Sequence, residues 1–161
     1  MRLWRLKMFS RLISPSKLYD ETTFYKAFVR DVAHAKVQIV IESPFIITRR
    51  FTMLEEVIER VLKRGVRVVV NTREPNTHDP YMREQAAACI ETLQLSGVTV
   101  LYTANLHRKI AVIDDVLWEG SLNILSQNDS CEMMRRTHSV DAVKQMIRFT
   151  KLSRWYNQGE L

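Results

Sequence analysis

The sequence predicts an α/β domain, with a mostly parallel mixed β-sheet flanked by helices on both faces. Three observations carry this expectation. The runs at 37–41 (VQIVI), 66–70 (VRVVV) and 98–102 (VTVLY) are β-branched and almost wholly apolar, as strands buried on both faces are. Segments of helical periodicity alternate with them, which is the pattern of βαβ units. The chain of 161 residues, 46% hydrophobic and 26% charged, can bury one sizeable core.

The elements follow in order. Phe24, Phe28 and Val32 recur at helical spacing between about residues 20 and 35, ahead of the first apolar strand. Thr52 and Glu55 have the spacing of a capping box, and Leu54, Val57, Ile58, Val61 and Leu62 then make one apolar face that ends at Gly65. The second strand follows at once. Pro75, Asn76, Asp79 and Pro80 mark a loop, and a helix is expected over about 81–96 before Gly97 and the third strand. The rhythm then changes. Residues 107–113 read as a strand, Asp114 and Asp115 as a turn, and 116–119 as a returning strand. A last helix is expected after Ser139, burying Val143, Met146 and Ile147.

Composition narrows the class. The apolar stretches are far shorter than the roughly 20 residues of a membrane-spanning helix. Cys89 and Cys131 make no disulfide framework, so a reducing cytoplasm is expected. The net charge of +6 is unevenly placed: Arg2, Arg5, Lys7, Arg11 and Lys17 all precede the first acid, Asp20. The chain therefore divides into a basic arm, 1–18, and a domain, 19–161. Such an arm suits a polyanionic partner, nucleic acid first and an anionic membrane surface second.

The chemistry is concentrated in LHRKIAVIDDVLWEGSLN. His107, Lys109 and Asp114 stand in the spacing H-x-K-x4-D, followed by Gly120, Ser121 and Asn123 as G-S-x-N. Alternation along a strand puts His107 and Lys109 on one side and Arg108 on the other. A nucleophile and a phosphate-binding cation then lie together.

In these motifs the sequence resembles the phospholipase D superfamily. The likeness extends to IVIESPFI and RGVRVVVNTRE, covering about residues 20–136. These stretches look like phospholipase D-like domains attached to helicases and restriction systems. The resemblance implies phosphodiester cleavage with His107 as covalent nucleophile, no metal and no cofactor. Lys109 and Asn123 are expected to stabilise the phosphate oxygens, Ser121 to add a hydroxyl donor, and Gly120 to let the backbone pass close to the phosphate. Glu132, shortly after G-S-x-N, is the expected orienter of His107. Asp114 has the opposite strand parity and is assigned to structural hydrogen bonding in the turn. Family enzymes use two such motifs, and none of His34, His78 and His138 begins a second one. A homodimer sharing one site is therefore expected, acting as an endonuclease on DNA or RNA. Phospholipid cleavage or phosphatidyl transfer, and a noncatalytic nucleic-acid-binding module, are the alternatives. Arg49, Arg50 and Arg73, just past predicted strand ends, are candidate nucleic-acid contacts because α/β sites gather at that edge.

Overall fold

The computed structural model describes residues 16–126 and 130–156, so most of the basic arm lies outside the described residues. Among the described residues seven strands form one sheet. In chain order the elements are β1 (Ser16–Asp20), α1 (Phe24–His34), β2 (Gln38–Glu42), α2 (Thr48–Lys63), β3 (Arg67–Thr72), α3 (Pro80–Leu95), β4 (Thr99–Tyr102), β5 (Ile110–Ile113), β6 (Val116–Gly120), β7 (Met133–His138) and α4 (Val140–Thr150). Across the sheet the strand order is β1-β7-β6-β5-β2-β3-β4.

The α/β class and the mixed sheet agree with expectation, but the parallel share is smaller than expected. Only β2, β3 and β4 pair in parallel, joined by the crossover helices α2 and α3. After β4 the chain makes no further helical crossover before the sheet. Instead β5 runs back antiparallel to β2, and β6, β7 and β1 extend the sheet by antiparallel pairing. β1 is exposed almost throughout and β7 is largely polar, so neither shows the apolar run that announces a buried strand. The expected boundary at residue 18 therefore falls inside β1.

Strand alternation divides the core in two. Ile39, Ile41, Val68, Val70, Ala111 and Trp118 face one side and pack on α1, α2 and α3. Val40, Val69, Val112 and Leu117 face the other and pack on Val143 and Ile147 of α4. Trp118 is completely buried, with the rings of Tyr19, Phe24 and Phe28 around it. Its indole N–H donates to Asp31 Oδ2 at 3.0 Å, and Asp31 also holds Arg136 at 2.6 Å. A large apolar ring is thus placed centrally without leaving its polar atom unpaired.

α2 starts one turn before the expected capping box. Ile47 is its N-cap, and the Ile47 N–H donates to Leu125 O at 2.9 Å. Thr48 N–H donates to Gln85 Oε1, so tertiary partners take the place of a local cap. Thr52 instead donates its hydroxyl back to Thr48 O at 2.6 Å. The caps of α3 and α4 are local: Asp79 accepts from Met82 N at the start of α3, and Ser139 from Ala142 N at the start of α4.

Candidate active site

The motif lies where β5 begins, beside the C-terminal end of β2, with Ile110 paired to Glu42. Lys109 is buried and His107 is exposed. The Lys109 ammonium lies 2.6 Å from His107 Nδ1 and donates to His107 O at 2.6 Å. Burial pushes the Lys109 amine below its usual range, while the Glu132 carboxylate pulls it up. Lys109 is therefore a poorly hydrated cation held against the imidazole. An ammonium donating to Nδ1 requires the tautomer with its proton on Nε2.

The G-S-x-N segment leaves β6 beside β7. The Ser121 N–H donates to Met133 O at 2.9 Å, and its hydroxyl accepts from Met133 N at 3.1 Å. Gly120 is required by this strand: a Cβ there would lie 2.0 Å from Met133 O and 2.9 Å from Met134 Cα. The close approach that the structure shows at Gly120 is thus to β7. Asn123 lines a pocket of about 570 Å³ with Phe45, Arg49, Tyr81, Met82 and Gln85. Its Oδ1 is buried without a partner. Glu132 accepts from the Ser130 hydroxyl at 2.8 Å, and its N–H donates to Glu21. No hydrogen bond joins it to His107, so in a single chain its electrostatic contact with the site is through Lys109.

Asp114 stands apart from this group. It occupies the β5–β6 turn at φ 50°, and its carboxylate accepts from the N–H groups of Lys36, Val37 and Gln38 at 2.8, 3.0 and 2.9 Å. It closes the far end of the sheet and touches none of the other motif residues.

On the reverse face sits a brace that the sequence reading missed. Glu42 is wholly buried and accepts a two-point contact from Arg108, Nε to Oε2 at 2.6 Å and Nη2 to Oε1 at 2.9 Å. Asn71 also donates to Glu42 Oε1 at 2.8 Å, and Thr103 donates to Asn71 Oδ1 at 3.0 Å. This network ties β2, β3, the loop after β4 and the residue between His107 and Lys109. Its only sequence signal was a lone acid closing an apolar strand.

The three candidate arginines separate. Arg49 is exposed in the first turn of α2 and borders the pocket of Asn123. Arg50 is buried, stacked 4.5 Å from the ring centre of Tyr25, so its guanidinium is committed to the core side of α2. The expectation that it contacts nucleic acid is corrected accordingly, because the helix begins earlier than the sequence suggested and turns this residue inward. Arg73, half-buried, lies over Phe45. Among the described residues no group of three or more His, Cys, Asp or Glu side chains is placed to hold a metal ion.

The profile of a family described as "Cardiolipin synthase, PLD-like domain" matches residues 28–153, which include both motifs and most of the sheet. The chain belongs to the phospholipase D superfamily. Its fold is similar to that of a phospholipase D family member, Nuc, from Salmonella typhimurium (TM-score 0.70, 16% identity, 92% of this chain and 97% of that one). It also resembles NucT from Helicobacter pylori (TM-score 0.68, 18% identity, 86% and 94%). A phosphatidylserine synthase from Haemophilus influenzae is similar as well (TM-score 0.61, 11% identity), but this chain covers only 39% of it. No curated protein matches the sequence. For this phospholipase D-like domain, phosphodiester chemistry is the general class of activity, and the identities of these neighbours extend to fold alone.

Proposed function

We propose that the chain is a phosphodiesterase acting on nucleic acid, a metal-independent endonuclease that works as a homodimer with one shared site. The observation that carries this reading is the pairing of an exposed His107 with a buried Lys109 whose ammonium is 2.6 Å from the ring. A substrate phosphate competes with the imidazole for that ammonium. Once Lys109 turns to a phosphate oxygen, Nδ1 is released to carry the proton and donate to Glu132, and Nε2 becomes the nucleophile. Attack forms an N–P bond and breaks the bond from phosphorus to the leaving oxygen, which takes a proton from His107 of the partner subunit. Water then attacks phosphorus, gives its proton to that second imidazole and releases His107. Lys109 and Asn123 stabilise the charge on the nonbridging oxygens.

The dimer follows from having one motif where the reaction needs an acid and a nucleophile at once. The family description favours a second reading, phosphatidyl transfer between lipids. The two are separated by incubating the chain in EDTA with labelled DNA, RNA and phosphatidylglycerol vesicles, alongside His107→Ala and Lys109→Ala. Cleavage of nucleic acid by the unaltered chain alone is the expected result. Turnover of lipid only, or cleavage that EDTA abolishes, overturns the proposal.

A further inference from the structure

Phe45 in the segment after β2, Arg73 after β3 and His78 at the entry to α3 meet beyond the C-terminal ends of the parallel strands. The Phe45 ring centre is 5.0 Å from that of His78 and 5.5 Å from the Arg73 guanidinium carbon. His78 is 9% exposed. Among the described residues four buried side-chain polar atoms lack a hydrogen-bond partner, and three of them, Arg73 Nε, His78 Nε2 and Asn123 Oδ1, lie around Phe45. A buried donor without an acceptor is costly, and such a group in a native structure calls for an explanation. Burial, reinforced by Arg73 and opposed by Asp79, holds the His78 imidazole below its usual pKa. It is therefore neutral at pH 7 and can offer an N–H without adding a second charge.

The cluster separates two pockets, one lined by Asn123 of the motif and the other by the loop that precedes His107. On one side Phe45 faces Asn123 and Arg49. On the other, Arg73 opens a pocket of about 330 Å³ walled by Thr77, the Glu74 carboxylate, which disfavours an anion on its own side, and Tyr102, Thr103 and Asn105 of the loop that leads to His107. An anion seated on Arg73 would thus lie beside the catalytic loop without displacing the phosphate at Lys109.

Resting on the phosphodiesterase reading above, we propose that Arg73, with His78 and Phe45, forms a second phosphate subsite. It holds the phosphate adjacent to the one attacked by His107, which makes the substrate a polynucleotide chain and not a compound with a single phosphodiester. Arg73 supplies the charge and Nε, His78 an N–H, and Phe45 shields both donors until a phosphate replaces its ring.

The test uses the full chain carrying His107→Ala, so that bound substrate is not consumed, and a fluorescein-labelled oligothymidylate read by anisotropy across salt. Adding Arg73→Gln should weaken binding about tenfold and reduce the log–log salt slope by about 0.7, the value for one single-strand phosphate contact. Arg73→Lys, which keeps the charge, should keep the slope. In the chain with His107 intact, Arg73→Gln should lower kcat/KM for the oligonucleotide about tenfold more than for bis(4-nitrophenyl) phosphate, which has no neighbouring phosphate. No binding by the parent chain, an unchanged slope in Arg73→Gln, or equal losses on both substrates overturns the subsite. If the parent chain cleaves neither substrate, the phosphodiesterase reading fails, while the binding arm still decides the subsite.

Discussion

Replacing Asp114 separates architecture from chemistry within the motif. Its carboxylate accepts from three consecutive backbone N–H groups, Lys36, Val37 and Gln38. In Asp114→Ala the Lys36 amide is exposed and regains water, but the other two are partly buried and lose an ionised acceptor. At about 1–1.5 kcal/mol for each of those two, the loss is about 2–3 kcal/mol. Asp114 also has φ 50°, where alanine costs roughly 1 kcal/mol more than aspartate or asparagine. The sum is about 3–4 kcal/mol, or roughly 6–16 °C in Tm for a domain of this size. Asp114→Asn keeps Oδ1 and tolerates the left-handed backbone, so it should lose only about 1–2 kcal/mol, mainly through an amide facing the Lys36 N–H. Urea denaturation of all three proteins gives these differences directly, and cleavage per folded molecule should be retained by both variants below their melting range. An Asp114→Ala chain as stable as the parent, or one fully folded but inactive, would refute the assignment of Asp114 to the turn.

Arg108→Met should destabilise the fold by roughly 2–4 kcal/mol, since it strands the buried Glu42 carboxylate with Asn71 alone. The lower half of that range is expected because the Arg108 side chain is 39% exposed. Adding Glu42→Gln should restore part of the loss in chemical denaturation, and a double variant less stable than Arg108→Met would contradict the brace. For pH, His78 is held below its ordinary 6.5 in the folded state. The unfolded chain therefore binds a proton there first, so its penalty is absent above pH 6.5 and grows as pH falls from 6.5 toward the folded value. Denaturation midpoints followed from pH 7.5 to 5 should fall less steeply in His78→Phe than in the parent, and parallel profiles would remove His78 from that dependence.

The central part of the fold was legible because periodicity reports burial. The parallel strands β2, β3 and β4 and the helices between them carry continuous apolar runs or one apolar face. β1 and β7 escaped because a strand at or near a sheet edge is held by backbone pairing, and SKLYD and MMRRTH have little apolar alternation to show it. The start of α2 escaped for a different reason. Its cap is made by Leu125 and Gln85, which are distant in sequence, so a good local capping box at Thr52 pointed one turn too late. Within the site, spacing alone placed His107 beside Lys109 and kept Asp114 away from them. It could not show that Arg50 turns inward, nor that Glu42 waits beneath Arg108, since both depend on which tertiary neighbour arrives.

Three successive residues immediately before β5 do three different things, although the strand expected from residue 107 begins only at Ile110. His107 and Lys109 lie against each other, one exposed and one buried, and are the proposed nucleophile and cation. Arg108 projects to the opposite face and locks into Glu42, Asn71 and Thr103. A short segment outside the regular strand is thereby pinned from behind while its front remains open to substrate. Positioning within a few tenths of an ångström is what a phosphoryl-transfer nucleophile needs, and a charged two-point contact supplies it where the β-ladder has not yet begun. On this argument the residue between the two motif letters acts on the reaction through position: Arg108→Lys, which keeps the charge but gives up the fork, should lower kcat with little change in KM, as measured on an oligonucleotide substrate. A parallel change in KM alone would place Arg108 in substrate binding instead.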